Sequence, residues 1–148
     1  MTRQIKNIIS ITVFLICIWL INFSGQNIDI EIRGINAFTF ILIVAVLLQI
    51  IFFIPSFLLK TEKYYDLVGS LTYITTVSLA YFAVEDKTMI DSIIYFYVMV
   101  WALRLGIYLF RRVRNDGKDV RFEKAKRHFF WFLQYWMGQA LWVSLTAC

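Results

Sequence analysis

Apolar residues run through this chain in five long blocks set apart by short polar ones. The blocks cover residues 5–23, 35–59, 67–84, 89–110 and 129–147. Each comes close to the about 20 residues a helix needs to cross the hydrocarbon core of a bilayer. Pro55 falls near the far end of the second block and predicts an interruption there. The third block is amphipathic and rich in Ser and Thr. The connections are residues 24–34, 60–66, 85–88 and 111–128. The pattern predicts an all-α fold: a polytopic transmembrane helical bundle of five spans, one domain over residues 1–148.

Composition removes the soluble alternative. The chain is 60% hydrophobic and 18% aromatic, against roughly 45–50% apolar in soluble proteins. A domain of 148 residues has too little interior to hide that much apolar surface from water. Disorder requires low hydrophobicity and is excluded as well. Arg3 and Lys6 ahead of an apolar stretch resemble a signal peptide. The stretch is long for one and more spans follow, so it reads as a retained first helix.

Charge sets the orientation. Arg3, Lys6, Lys60 and Lys63 lie on the N-terminal side of the five-span arrangement. So do Arg111, Arg112, Arg114, Lys118, Arg121, Lys124, Lys126 and Arg127. The opposite side has Arg33 and Lys87, and Arg104 lies inside the fourth span. Such an alternation predicts a cytoplasmic N-terminus and a cytoplasmic basic loop at 111–128, in a bacterial inner membrane or the endoplasmic reticulum. The net charge of +5 is thereby membrane patterning, and nucleic acid is not an expected partner. Cys17 and Cys148 are far apart and His128 is the single histidine, so no metal site is expected. The chain stops within its fifth apolar block, which predicts either a protein cut short there or a helix that ends at the far surface.

Arg104 is the first candidate for chemistry. It lies about 9 Å inside the cytoplasmic end of its span at 1.5 Å per residue. An intramembrane charge marks a cavity or a ligand, or it snorkels along its own stem to the interface. Tyr97, Trp101, Arg104, Tyr108 and Arg111 follow one another at helical spacing and form one stripe. Such a stripe can line a pocket whose arginines grip phosphate and whose rings flank a flat ligand, or it is an interfacial belt. The basic loop can form a phosphate-binding rim or lie on anionic headgroups. Tyr64 and Tyr65 sit at headgroup level. One of them can donate a proton to a carbonyl, tuned by Glu62, or both belong to the belt. Asp66 is expected to cap the third span. Gly69, Thr72, Thr76 and Ala80 give that span a small-residue face for close packing. Gln134 and Gln139 are expected to tie helices together.

Three stretches carry a family likeness. They are Thr61-Glu62-Lys63-Tyr64-Tyr65-Asp66-Leu67-Val68-Gly69-Ser70-Leu71-Thr72, then Trp101-Ala102-Leu103-Arg104-Leu105-Gly106 leading to Arg111-Arg112 and Lys118-Asp119-Val120-Arg121-Phe122, and Gln139-Ala140-Leu141-Trp142-Val143-Ser144. From about Gln49 onward the chain resembles the steroid 5-alpha-reductase-like membrane proteins, in their uncharacterised branch. The resemblance implies a helical fold of about seven spans, of which these residues are the N-terminal part. It implies NADPH as cofactor and reduction of a carbon–carbon double bond conjugated to a carbonyl in a lipid or steroid-like substrate. Arg104 matches a family arginine near the cofactor, and Asp119 and Arg121 match a cytoplasmic loop motif. The resulting assignment places Tyr64, Tyr65 and Glu62 as catalytic. Arg104, Tyr108, Arg111, Lys118, Asp119 and Arg121 bind cofactor, and Tyr97 and Trp101 line the substrate, between spans two to four.

Two positions depart from the family pattern. Phe53 stands where steroid reductases carry a carbonyl-polarising Glu, and Trp101 where they carry a Tyr three residues before the arginine. The chain alone is expected to be inactive. Three rivals remain: a non-catalytic membrane scaffold, a small transporter and a membrane methyltransferase of the isoprenylcysteine type.

Overall fold

The computed structural model describes residues 2–116 and 122–147, the side chain of Asp116 excepted. Five helices lie over the five apolar blocks: α1 (Arg3–Ser24), α2 (Ala37–Leu58), α3 (Tyr65–Ala83), α4 (Met89–Asp116) and α5 (Phe129–Ala147). Three of them, α1, α2 and α4, are long and apolar enough to cross a membrane. Their outward faces carry exposed Ile, Leu and Phe side chains, such as Leu20, Ile51 and Phe96. That surface is suited to lipid and unsuited to water.

Helix α3 is the centre of the bundle and packs against α2, α4 and α5, while α1 lies mainly on α5. Small residues allow this. A Cβ on Gly69 would lie 2.2 Å from Gln139 Nε2, and one on Gly106 would lie 2.5 Å from Ser70 Oγ. Ser70 Oγ donates to the Ala102 carbonyl across the α3–α4 contact. Gln49 Nε2 of α2 donates to Thr72 Oγ1 of α3 at 2.9 Å. Thr72 and Thr76 are fully buried, their hydroxyls donating to carbonyls one turn back. The expected small-residue packing face of the third block is therefore present and points inward.

An aromatic core fills one end of the bundle. Phe53, Val68, Phe122, Phe132, Trp136 and Met137 are buried together there. Phe53 touches the rings of Phe57, Phe129, Phe132 and Trp136. Its position is explained by packing, with large apolar area buried among edge-on rings.

Several local features differ from the sequence expectations. The connection before α2 contains a two-stranded hairpin, β1 (Glu31–Ile32) with β2 (Ile35–Asn36), Ile32 opposite Ile35. Arg33 and Gly34 both take positive φ, 55° and 77°, as a two-residue primed turn requires. Asn36 then caps α2, accepting from the Thr39 N–H at 3.2 Å. Pro55 does not interrupt α2. It sits in the last turn, where one missing N–H and a small kink cost little, and the helix runs on to Leu58. Lys60 closes that end with φ 50° while the Thr61 N–H reaches back to the Ser56 carbonyl at 2.9 Å. This is the αL closure usually given to glycine. The basic stretch after Phe110 is not all loop. Helix α4 continues to Asp116, since Arg111, Arg112 and Arg114 are good helix formers. Asp66 is not a cap. The N-cap of α3 is Tyr64, and Asp66 lies inside the first turn, where it still favours the helix dipole. The reciprocal cap occurs on α4 instead. The Thr88 N–H donates to Asp91 Oδ2 at 2.8 Å, and the Asp91 N–H donates to Thr88 Oγ1 at 3.2 Å.

The α3–α4 contact is a direct test of this packing. Gly106→Ala places a methyl group against Ser70, and overpacking of this kind costs about 1–3 kcal/mol. Thermal unfolding in detergent should show a lower midpoint for Gly106→Ala. Ser70→Gly in the same chain should recover most of the loss. An unchanged midpoint would mean that the two helices do not approach this closely.

Candidate functional site

Between α3 and α4, closed on one side by the end of α5, lies a cavity of about 530 Å³. Its walls are apolar and aromatic. Val77, Ala80, Ile94, Val98, Trp101 and Trp142 form the middle. Ile94, Trp101 and Trp142 are also exposed on the outside, so the cavity opens sideways between helices. Hydroxyl pairs mark its two ends. At one end Tyr73 Oη and Thr146 Oγ1 are hydrogen-bonded, and both line the cavity. At the other, Tyr81 Oη and Ser92 Oγ lie 3.0 Å apart beside Lys87 and Asp91. Tyr81 stacks on Tyr95 with ring centroids 4.3 Å apart. Tyr73 is 8% exposed and meets Trp101 edge-on at 5.1 Å.

The opposite end of the bundle gathers charge. Lys126 donates to Glu62 Oε2 at 2.7 Å, and the Glu62 side chain is only 3% exposed. Asp66 faces Arg112 at 3.6 Å. The Arg3 guanidinium lies 4.6 Å above the Trp131 ring. These contacts bring the start of α1, the α2–α3 junction and the α4–α5 junction to one end. A hollow of about 310 Å³ nearby is lined by Lys63, Tyr64, Phe110 and Arg114. The Tyr64 and Phe110 rings stack there with centroids 6.3 Å apart.

The expected site residues fall into separate places. Glu62 is held in its ion pair. Tyr65 packs against Phe122 and Trp136, and its hydroxyl donates to the Tyr135 carbonyl at 3.0 Å, which fixes α3 to α5. Tyr64 is half exposed at the cationic hollow. Tyr97, Trp101, Arg104, Tyr108 and Arg111 share a face as their spacing requires, and that face points out of the bundle. Trp101 alone among them reaches the 530 Å³ cavity. Arg104 has no carboxylate or hydrogen-bond partner among the described residues. Lys118, Asp119 and Arg121 lie outside the described residues. The cavity is walled by α3, α4 and α5, with no contribution from α2 to its lining. Gln139 packs on Gly69, and among the described residues its Oε1 has no partner, nor have Gln49 Oε1 and Trp136 Nε1. Gln134 lines a second hollow of about 440 Å³ between α1 and α5.

Several functional candidates were not visible in the residue pattern. Tyr73 and Thr146 are 73 positions apart, and neither belongs to a recognisable motif. Lys63, Phe110 and Arg114 had a weaker signal, a cation–aromatic mixture at span ends, which is also what an interfacial belt looks like.

The sequence profile of one family, described as a protein of unknown function (DUF1295), matches residues 52–148. The chain belongs to the DUF1295 family. No curated protein and no solved structure matches it. The DUF1295 region holds the whole lining of the 530 Å³ cavity, the Glu62–Lys126 and Asp66–Arg112 pairs and the cationic hollow. Helix α1 and the hairpin lie before it. Among the described residues no group of three or more His, Cys, Asp or Glu is placed to hold a metal.

The Glu62–Lys126 pair makes an asymmetric prediction for this DUF1295 protein. Lys126→Met removes the ammonium from a carboxylate that is nearly inaccessible to water, whereas Glu62→Gln leaves the more exposed ammonium a neutral acceptor. Breaking a buried pair costs about 3–5 kcal/mol. Lys126→Met should therefore lower the unfolding midpoint in detergent clearly more than Glu62→Gln does. Equal, small losses would identify the pair as a solvated surface contact.

Proposed function

We propose that this chain belongs to an NADPH-dependent membrane reductase that acts on a carbon–carbon double bond conjugated to a carbonyl in a lipid or steroid-like molecule. The observation that carries the reading is the apolar, aromatic cavity of about 530 Å³ that opens sideways among the membrane-level helices. Its size is in the range of about 300–1,000 Å³ typical of small-molecule sites. A sideways opening suits a ligand that arrives from the bilayer. The DUF1295 match and the likeness of Trp101–Arg121 to steroid 5-alpha-reductase-like proteins add support.

In this reading all five helices cross the membrane, and the basic end faces the cytoplasm, where NADPH is found. The residues present fit a phosphate-bearing ligand in part. Lys63 and Arg114 in the cationic hollow, with Arg104 and Arg111 on the outward stripe, supply charge for phosphates, and Tyr64 with Phe110 supplies a stacking surface. The hollow of about 310 Å³ takes one end of a dinucleotide and does not enclose all of it. NADPH, when bound, supplies the hydride. The chain's own residues hold the cofactor by charge and stacking and keep the lipid out of water.

Binding of NADPH to protein expressed from its full reading frame, in detergent, tests the reading. Saturable micromolar binding is expected. Arg104→Ala should weaken it at least tenfold, about 1.4 kcal/mol. A folded protein that binds no NADPH would overturn the proposal. A non-catalytic membrane scaffold, its basic end resting on anionic headgroups, would then lead.

A further inference from the structure

The cationic hollow does not end at its basic rim. Tyr64, one of its four lining residues, also lines a groove of about 280 Å³ between α2 and α3. The groove follows α2 from Phe52 to Leu59 and α3 from Tyr64 to Leu71, about 10 Å at 1.5 Å per residue. Phe52, Pro55, Leu59, Leu67 and Leu71 make most of its wall. Leu59, Leu67 and Leu71 are also exposed on the outer face, so the groove opens sideways.

Groove and hollow meet where a membrane surface would lie. Helices α2 and α4 are both long and apolar enough to cross a membrane. At this end α2 stops at Leu58, and the apolar part of α4 stops at Phe110, whose ring stacks on Tyr64. From that ring pair the groove extends back along α2 and α3. Lys63 precedes α3, and Arg114 lies one turn beyond Phe110. Charge here is unequally engaged. Arg112 faces Asp66, and Lys126 holds Glu62. Lys63 and Arg114 are exposed and have no carboxylate partner among the described residues. A soluble phosphate would satisfy these two cations and place nothing in the groove. A zwitterionic lipid would fill the groove and bring an ammonium toward the cations. A lipid with an anionic headgroup matches both halves.

We propose that the α2–α3 groove and the Lys63–Arg114 hollow are one binding site for an anionic phospholipid. An acyl chain lies in the groove beside Tyr64, and the headgroup phosphate lies between Lys63 and Arg114. The arginine offers it a planar fork of donors and the lysine a point charge. The site does not depend on the reductase reading, but it shares the hollow with it. A headgroup held there excludes the end of a dinucleotide, so lipid and cofactor compete for the same two cations.

The test is native mass spectrometry of protein expressed from its full reading frame, delipidated in detergent, without NADPH. It is titrated with phosphatidylglycerol or with phosphatidylcholine of the same chains. The wild-type protein should bind phosphatidylglycerol about tenfold more tightly, as two cations beside an anionic headgroup require. Lys63→Gln together with Arg114→Gln should remove that preference. Lys6→Gln together with Arg127→Gln takes the same charge from exposed positions at the same end, and should keep the preference within about twofold. Leu71→Trp, which fills the groove, should weaken binding of both lipids by about threefold or more. Glycerol 1-phosphate, an anion without chains, should not displace phosphatidylglycerol at equal concentration. The proposal fails if the Lys6 and Arg127 pair removes the preference as fully as the Lys63 and Arg114 pair, which would mean a general attraction to the basic end. It fails too if Leu71→Trp changes nothing, or if glycerol 1-phosphate competes as an equal, which would make the hollow a site for soluble phosphates. Since NADPH is absent from the assay, such a failure leaves the reductase reading standing.

Discussion

The central position of α3 is the constraint on which the rest of the structure depends. A helix can touch three neighbours at once only if its side chains are small where the backbones come close. Gly69 accommodates Gln139, Ser70 fits against Gly106, and Thr72 and Thr76 return their hydroxyls to their own helix. Farther along, α3 meets α4 through larger side chains, Tyr81 against Ser92 and Tyr95, and the cavity lies between the two helices there.

Two kinds of chemistry are separated along the bundle. At the basic end, Glu62 is matched by Lys126 and Asp66 by Arg112. These acids bring the α2–α3 and α4–α5 junctions together. They stand a turn or more of helix away from the hydroxyls of the cavity. Carboxylates committed to lysine and arginine are poor proton donors. The cavity itself has the phenols of Tyr73, Tyr81 and Tyr95 and the Thr146 hydroxyl along its wall, with Lys87 and Asp91 at the end near the α3–α4 connection.

Much of the helical layout was legible in the sequence because span length and apolar continuity are strong one-dimensional signals. The end of α4 was less so, since Arg111, Arg112 and Arg114 suggest water by their charge while sustaining a helix by their propensity. The hairpin at Glu31–Asn36 escaped because two-residue strands are too short to show a period. Spacing correctly joined Tyr97, Trp101, Arg104, Tyr108 and Arg111 on one face. It had no means of giving the direction of that face, since direction depends on which other helices α4 packs against. The Tyr73–Thr146 contact was out of reach for the same reason. It is created by the parallel packing of α3 and α5, which no local pattern records.

The outward stripe and the inward cavity together constrain how α4 works. Its inner face serves α3 through Ala102 and Gly106, and its outer face carries Arg104 with no partner among the described residues. If α4 crosses the membrane, a guanidinium on this face is costly against lipid tails unless it reaches the headgroups or meets an anion. Trp101 is one turn from Arg104 and belongs to both surfaces, touching Tyr73 inside while remaining 46% exposed outside. One indole ring thus joins the charged exterior of α4 to the cavity behind it.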